Sequence, residues 1–277
     1  MVSEVHRAAI NRFVRACQGD VRVVAAFLGG SHVAGTDDEY SDLDLYLIVG
    51  DEDYDAFFAE RRAFLSRLDE PVFFEDFSGF GFDMVVFIFS GGVEGELALG
   101  RTSGFDHIHG GSFEVLVDKE GILEGQVFPS HEPTEEEQRR TLRWLLYWFW
   151  RDLSELSRAL ARGRLWTAYG LLEGLRLKCV NLARLKHDFS SAWVVGYEKL
   201  EQAADEQDLE ALRATFCPLE REAMLQALGH LVGFYLRTAP PLATQQGIAY
   251  PADLGAVVTE KLARRCGLHL DIATAEK

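Results

Sequence analysis

Hydrophobic residues follow two different periods along the chain, and the period changes near residue 127. Before that point, short apolar runs rich in β-branched and aromatic residues are separated by Gly, Asp and Ser. They predict helices over 3–17 and 51–68 and strands over 21–28, 42–49, 72–74, 82–89, 93–99 and 113–118. The pair Gly91-Gly92 predicts a hairpin turn between two of these strands. The pattern indicates an α/β fold with a mixed sheet.

After residue 127 the apolar positions recur at helical spacing. The pattern predicts helices over 134–161, 165–187, 191–204, 207–214, 218–237 and 251–266. Prolines cannot continue a helix and are expected to separate the later helices: Pro218, Pro240 and Pro251. We therefore predict an all-α helical bundle as the C-terminal domain. The boundary is placed near residue 130, which gives domains 1–130 and 131–277.

Charge is distributed unevenly over the chain. The 277 residues include 44 acidic and 28 basic ones, a formal net charge of −16. Residues 1–130 contain 24 acidic and nine basic residues, whereas residues 131–277 contain 20 acidic and 19 basic residues. A protein that binds nucleic acid normally presents a basic face, so no nucleic-acid partner is expected. An acidic N-terminal half instead favours metal ions and cationic small molecules.

Cysteine usage and apolar run lengths bear on the location of the protein. The four cysteines are dispersed and form no CxxC pair, which argues against zinc-ribbon and thioredoxin sites. Dispersed thiols in a long chain are typical of a reducing compartment. The N-terminal residues carry charges throughout, and the longest apolar runs are far shorter than a membrane span. We therefore expect a cytoplasmic protein with no membrane partner.

Two short motifs lie close together in residues 27–49. Gly29-Gly30-Ser31 interrupts an apolar run, and Asp42-Leu43-Asp44 opens the next strand. Glycines let a backbone approach phosphates, and the Ser31 hydroxyl adds a donor. Asp42 and Asp44 are two residues apart on a strand and therefore point to the same face. Two convergent carboxylates suit Mg²⁺, so this layout is typical of metal-assisted phosphoryl or nucleotidyl transfer.

Each motif alone is common, because many turns read Gly-Gly-Ser and many strand ends read Asp-x-Asp. Here they occur together, with ten residues between Ser31 and Asp42 and a strand on either side. This segment resembles the signature of the DNA polymerase β-type nucleotidyltransferase superfamily. The resemblance implies an α/β nucleotidyltransferase domain that uses ATP or another NTP, with two Mg²⁺ ions.

That superfamily needs a third carboxylate on a neighbouring strand, and two residues are candidates: Asp83 and Glu96. The run VVFIFSGGVEGELAL and the later FEVLVDKEGIL resemble antibiotic nucleotidyltransferases of the streptomycin 6-adenylyltransferase and lincosamide groups. In the lincosamide enzymes the acid in this place is a glutamate preceded by glycine, as Glu96 is, so Glu96 is favoured. Asp83 precedes the apolar run Met84–Phe89, which is expected to be buried on both faces, and is interpreted as a structural acid.

The resemblance implies two sets of site residues. The nucleotide phosphates would be held by the glycine turn and the residues after it: Gly29, Gly30, Ser31 and His32. The metal ions would be held by three catalytic carboxylates, the last of which could also be the general base: Asp42, Asp44 and Glu96. For His32 a solvated helix start is the alternative. A solvated loop is expected over 37–39, and no metal spacing supports His107 or His109.

The resemblance also implies the acceptor. A hydroxyl of a small molecule such as an aminoglycoside or lincosamide antibiotic would receive the nucleoside monophosphate, and relatives of this type are often homodimers. Glu94 stands where the lincosamide enzymes lead us to expect a basic residue, which leaves the acceptor open. The alternative function is a binding or regulatory module acting on a protein partner, or an inactive relative. The complete set of Gly-Ser, two aspartates and a third acid argues against an inactive protein.

Several residues of the helical half have two possible roles. Four aromatic residues could wall a drug pocket or belong to a core or interface: Trp144, Tyr147, Trp148 and Trp150. Arg176 and Lys178 could reach a triphosphate, but surface charge is the favoured interpretation. The stretch from 139 to 188 resembles the helical domain of the antibiotic nucleotidyltransferases.

Overall fold

Two units make up the chain in the computed structural model, which describes residues 4–79, 81–130, 133–190 and 196–270. The first unit is Met1–His131 and the second is Glu132–Lys277. The first combines helices with a mixed sheet, and the second is built from helices. The fold class predicted from the sequence is therefore confirmed.

The first unit contains a six-stranded sheet with the strand order β3-β4-β5-β2-β1-β6. The strands are β1 Val23–Leu28, β2 Leu43–Val49, β3 Pro71–Ser78, β4 Asp83–Phe89, β5 Glu94–Arg101 and β6 Glu114–Asp118. Strands β2 and β5 pair in parallel at the centre of the sheet, and the other neighbours pair antiparallel. Four helices accompany the sheet: α1 Glu4–Gly19, α2 Gly30–Ala34, α3 Tyr54–Ala59 and α4 Arg61–Leu65.

One face of the sheet is covered by helices. Phe13 of α1, Phe57 of α3 and Phe64 of α4 are buried with the leucines of β2 in one apolar cluster. The rings of Phe13 and Phe64 meet edge to face, with centroids 6.2 Å apart. Successive strand residues point to opposite faces, so the residues between those leucines lie on the other side.

The second face is only partly covered. Phe27 and Ile48 are buried there with Phe105 and Phe128, which come from the chain after β5. On β4, alternate residues are half-exposed: Met84, Val86 and Ile88. The prediction that Met84–Phe89 is buried on both faces is therefore wrong, because only the face toward the helices is closed.

The prediction of a single helix over 51–68 is also wrong. Glu60 departs from helical geometry, and its N–H bonds to the carbonyl of Phe57, three residues back. The first helix therefore ends in a tight turn, and a second begins at Arg61. Strand β3 is longer than the predicted 72–74. The Gly91-Gly92 hairpin turn is observed, with Gly92 at a φ of +85°.

The second unit contains α5 Glu135–Ala161, α6 Leu165–His187, α7 Leu200–Ala203, α8 Glu206–Arg213, α9 Arg221–Gln245 and α10 Ala252–Cys266. Helix α5 begins at a capping box in which Thr134 and Glu137 satisfy each other's backbone N–H groups. The predicted helix over 191–204 falls partly on 191–195, outside the described residues, and the described part is helical only in α7.

Helix α9 runs further than predicted. It continues through Pro240 and Pro241 to Gln245, although each proline removes a helical N–H donor. Leu242 and Ala243 beyond the prolines are buried in the core of the second unit, and this burial offsets the lost hydrogen bonds. Pro240 therefore does not separate two helices.

Arg176 and Lys178 are not surface charges, so that interpretation is wrong. They are only 1% and 8% exposed. Arg176 donates hydrogen bonds to the hydroxyl and carbonyl oxygens of Thr215 and pairs with Glu173. Lys178 pairs with Asp152 at 2.8 Å. Burial of these cations is compensated by partners within the second unit.

The four aromatic residues of α5 divide into two groups. Trp150 is completely buried in the core of the second unit. Trp144, Tyr147 and Trp148 are each about 40% exposed, and the last two line an open groove of about 410 Å³ with Val258. None of the described helices is both long and apolar enough to cross a lipid bilayer.

Candidate active site

The Gly29-Gly30 turn follows β1 and lies against the second face of the sheet. The N–H of Gly29 donates to the backbone carbonyl of Asp44 at 3.0 Å. A Cβ added to Gly30 would lie 1.7 Å from Oδ2 of Asp44, and Gly30 has a φ of +63°. Only glycine satisfies both conditions. The turn therefore brings its backbone directly against the Asp44 carboxylate.

Ser31 and His32 follow the turn in α2, and both carry buried polar atoms. Among the described residues, Oγ of Ser31 and both ring nitrogens of His32 have no hydrogen-bond partner. The His32 side chain is fully buried, with Nδ1 3.8 Å from Oδ2 of Asp37. His32 is therefore not a solvated helix start. In the loop expected to be solvated, the Asp37 side chain is only 9% exposed, whereas Asp38 and Glu39 are exposed.

Asp44 and Glu96 lie side by side across the parallel pairing of β2 and β5. Asp42 immediately precedes β2 and has the same parity as Asp44, so the three acids belong to one face. Gly95 makes this pairing close, because a Cβ on it would lie 2.5 Å from the carbonyl oxygen of Leu43. The structure thus brings Glu96 to the Asp-x-Asp motif.

The carboxylates act on one another electrostatically. Burial raises the pKa of Asp44 above its ordinary 3.8, and the charge of Asp42 adds to the effect. Burial likewise raises the pKa of Glu96 above 4.5, with further contributions from Asp44 and Asp42. Tyr46, the next residue on this face of β2, has a pKa raised to about 12 by burial and by the same two acids, Asp44 and Glu96. These acids would be stabilised in their charged form by a cation.

The carboxylates do not form a closed metal site. Within the described ranges, no group of three His, Cys, Asp or Glu side chains is gathered as a complete ligand set. Asp42, Asp44 and Glu96 nevertheless offer the oxygen ligands that Mg²⁺ prefers, and Mg²⁺ commonly completes its shell with water and phosphate oxygens.

Asp83 lies on the opposite face of the sheet. On β4, Val86 pairs with Glu96 and shares its face of the sheet. Asp83 is three residues from Val86, and side chains alternate along a strand, so the Asp83 side chain points to the other face. Its carboxylate accepts hydrogen bonds from the hydroxyls of Tyr54 at 2.7 Å and Ser78 at 2.5 Å. Asp83 thus has structural partners, as its interpretation as a structural acid requires.

Three residues near the turn were not singled out by motif. His6 of α1 is buried, with its ring centroid 5.4 Å from that of His32. Tyr46 and His109 would both collide with a Cβ on Gly29, at 2.9 Å and 2.8 Å. Tyr46 could have been predicted from the sequence, because it is two residues after Asp44 and therefore lies on the same face of the strand. His109 lies on the loop between β5 and β6, far from Gly29 in sequence, and no pattern in its neighbouring residues predicts this contact.

Comparison with models of known protein families finds one family that matches this chain. The family model of streptomycin adenylyltransferase matches residues 4–264, nearly the whole chain. The chain belongs to the streptomycin adenylyltransferase family. It is thus identified as an adenylyltransferase enzyme, and the expected kinship with antibiotic nucleotidyltransferases is confirmed.

Two solved structures are similar to this family member. One is an aminoglycoside 6-adenyltransferase from Bacillus subtilis, with 14% identity over 96% of this chain and 100% of that one, at a TM-score of 0.44. The other is a nucleotidyltransferase-like protein from Exiguobacterium sibiricum, with 11% identity over 86% and 78% of the two chains, at a TM-score of 0.35. No curated protein sequence matches the chain.

Proposed function

We propose that this protein transfers AMP from ATP to a hydroxyl of a small molecule in a Mg²⁺-dependent reaction. The observation that carries the proposal is the position of Asp44, which lies beside Glu96 on one side and against Gly30 on the other. Paired carboxylates next to a bare backbone turn suit a metal-bound triphosphate. Membership in the streptomycin adenylyltransferase family supports the same reaction class.

The nucleotide phosphates would occupy the space at the glycine turn. The backbone of Gly29 and Gly30 would approach the phosphates. The buried Ser31 hydroxyl, which follows the two glycines, has a hydrogen to donate. His32, whose side chain is buried next to Ser31, would support this position. A phosphate oxygen is a strong acceptor, so it would satisfy the Ser31 hydroxyl, which otherwise has no partner among the described residues.

Asp42, Asp44 and Glu96 would hold Mg²⁺, two ions in the arrangement that the superfamily resemblance implies. Bound Mg²⁺ would supply charge neutralisation and Lewis-acid polarisation of the phosphate oxygens. The raised pKa values of Asp44 and Glu96 fit this role, because they reflect burial and mutual repulsion that a cation relieves.

The reaction would be an in-line displacement at the α-phosphorus. The acceptor oxygen forms a bond to that phosphorus as the bond to the bridging oxygen of the β-phosphate breaks, and pyrophosphate leaves. Glu96 would take the acceptor's proton, because it flanks Asp44 from the β5 side and its raised pKa makes it a better proton acceptor.

The acceptor would be a hydroxylated and cationic small molecule, with aminoglycosides and lincosamides as the leading classes. Support comes from the excess of acids in residues 1–130 and from membership in a family named for the modification of streptomycin, an aminoglycoside. A homodimer is proposed on the resemblance alone, and light scattering of the purified protein tests it. A cytoplasmic location is proposed from the dispersed cysteines.

The decisive experiment measures pyrophosphate release with each NTP against a panel of aminoglycosides and lincosamides. We expect release with ATP and at least one acceptor, and mass spectrometry should detect that acceptor with one added nucleoside monophosphate. Asp44→Asn serves as the control for contaminating activity. Absence of release for every pair, with folded protein and Mg²⁺ present, would refute the proposed transfer.

A further inference from the structure

Two aromatic side chains pack directly against the backbone of Gly29. A Cβ added to this residue would lie 2.8 Å from Cε1 of His109 and 2.9 Å from Cε2 of Tyr46. The backbone itself does not require glycine, because its φ of −123° is extended and open to any residue. Gly29 is therefore a glycine because the two rings occupy the space that a side chain would need.

His109 is itself held in one orientation by its loop, which joins β5 to β6. Its Nε2 lies 2.9 Å from the carbonyl oxygen of Ser112, and a carbonyl only accepts, so Nε2 carries a hydrogen and donates it there. The ring packs edge to face on Phe128, with centroids 5.3 Å apart. The N–H of Gly111 donates to the carbonyl of Phe128 at 2.9 Å and ties the loop down. The imidazole thus meets Gly29 as a fixed surface.

Tyr46 completes this surface from β2. Its ring stacks on Phe27, with centroids 4.5 Å apart and planes within 2° of parallel, and it meets His109 edge to face at 4.7 Å. Tyr46 is therefore confined between the two rings and cannot move away from Gly29. The N–H of Gly29 also donates to the carbonyl of Asp44 at 3.0 Å. A backbone that is packed by rings and hydrogen bonded to the catalytic strand has one position.

A turn that binds phosphate gains affinity when its backbone is in place before the nucleotide arrives, because ordering it on binding costs free energy. We propose that His109 is a positioning residue, which holds the backbone of Gly29 in the place where the nucleotide phosphates bind. The imidazole acts through Gly29, by its bulk, and needs no contact with the nucleotide. This inference rests on the proposed function only for the place of the phosphates.

The first test measures binding rather than turnover, by calorimetry with Mg²⁺ and α,β-methylene ATP. His109→Ala leaves the turn free to move, and we expect it to bind the analogue about three- to tenfold more weakly than the parent. His107→Ala is the matched control, because His107 lies on the same loop but its Nε2 is 2.9 Å from the carbonyl of a different glycine, Gly81. The control should bind like the parent. Parental affinity in His109→Ala, or an equal loss in the two variants, would overturn the inference.

Gly29→Ala tests the same contact from the other side. The new methyl group collides with both rings, so the turn must leave its binding position, and we expect affinity to fall about 10- to 100-fold. His109→Ala removes the nearer collision and gives Tyr46 room to turn. The double variant should therefore bind more tightly than Gly29→Ala alone. A role of His109 elsewhere in the fold predicts instead that the two losses add.

Additive losses in the double variant would contradict the positioning role. Parental affinity in Gly29→Ala would contradict it as well, without any change at residue 109. His109→Gln is the conservative variant, because glutamine keeps a flat group of similar reach and a donor for the Ser112 carbonyl. It should bind like the parent and should not rescue Gly29→Ala. Rescue by His109→Gln equal to that by His109→Ala would show that bulk at residue 109 is not the cause.

The inference and the proposed function can fail separately. Thermal melting confirms that each variant is folded before its binding is compared. If the variants show the expected pattern of affinities but no acceptor is ever modified, the proposed transfer fails and the role of His109 stands. If transfer occurs but the affinities do not follow the pattern, the role of His109 fails and the proposed function stands. If the unmodified protein does not bind the analogue, the role of His109 fails, and the pyrophosphate assay decides the transfer separately.

Discussion

Gly30 and Asp44 are in direct contact, with no room for even one carbon atom between them. A Cβ on Gly30 would lie 1.7 Å from Oδ2 and 2.6 Å from Cγ of Asp44. Asp44 is also partly buried and beside Glu96, so it has little freedom to withdraw. The identity of residue 30 therefore controls the position of the carboxylate.

Gly30→Ala is expected to displace Asp44 and to reduce transfer by about 10²-fold, the usual effect of misplacing a catalytic group by about 1 Å. The positive φ adds a cost of about 1–2 kcal/mol in the free energy of unfolding. Gly35→Ala is the matched control, because Gly35 has a φ of +69° but nothing within 4 Å of its Cβ position. Equal activity of the two variants would contradict the contact.

Asp42→Asn and Asp44→Asn are each expected to abolish transfer and leave the fold intact. Each change removes a metal-binding charge, and it also relieves repulsion within the carboxylate group. The melting temperature without Mg²⁺ should therefore hold or rise, whereas the stabilisation by Mg²⁺-ATP should disappear. Near-normal turnover in both variants would show that these acids are not the metal ligands.

Glu96→Gln is expected to lower the rate by about 10²–10⁴-fold, because glutamine cannot accept the acceptor's proton. Nucleotide affinity should change much less, since Asp42, Asp44 and the turn remain. Asp83→Asn is the comparison. It should be nearly silent in rate but lower the melting temperature, because it disturbs the hydrogen bonds from Tyr54 and Ser78. A large loss of rate in Asp83→Asn with a normal rate in Glu96→Gln would instead identify Asp83 on β4 as the catalytic acid.

Ser31→Ala is expected to weaken nucleotide binding about tenfold, by removal of a donor to a charged phosphate. Stability without ligand should not fall, because no described residue bonds to this buried hydroxyl. Ser103→Ala is the control, since that hydroxyl bonds to Asp51 at 3.0 Å on an exposed loop. Calorimetric titration with Mg²⁺-ATP measures both, and unchanged affinity in Ser31→Ala would argue against phosphate binding there.

The raised pKa values of Asp44 and Glu96 predict a dependence of stability on pH. Above their ordinary values of 3.8 and 4.5, the native state holds these protons more tightly than the unfolded state. Their contribution to stability is present at low pH and is lost as the pH rises through the native pKa values. The variant with both Asp44→Asn and Glu96→Gln should therefore gain stability relative to the parent at about pH 8 but not in acid. Denaturant titrations across this range provide the test.

Local signals predicted the fold class and the motif residues. Strands, glycine turns and the Asp-x-Asp spacing are properties of neighbouring residues, so they are visible in the sequence. The choice of Glu96 came from family resemblance, because its pairing with Asp44 joins distant parts of the chain. The approach of His109 to Gly29 depends on the closure of a loop and left no local pattern.

Tertiary packing accounts for the predictions that were wrong. A helix passes through Pro240 because the residues after it are buried. Arg176 was expected at the surface because arginine usually is, but Thr215, which follows α8, accepts two of its hydrogen bonds and allows it to be buried. The break at Glu60 and the exposed side of β4 likewise depend on which surfaces meet, which a single sequence does not contain.

The parallel pairing of β2 with β5 also determines when the site can exist during folding. Asp42 and Asp44 are synthesised well before Glu96. Strands β3 and β4 lie between them in sequence, so Glu96 reaches the two aspartates only when β5 pairs with β2 at the centre of the sheet. Pairings between distant segments form late, because the loop must close before its contacts stabilise it. Recovery of transferase activity during refolding therefore reports completion of the sheet, and it should lag behind the recovery of helical circular dichroism.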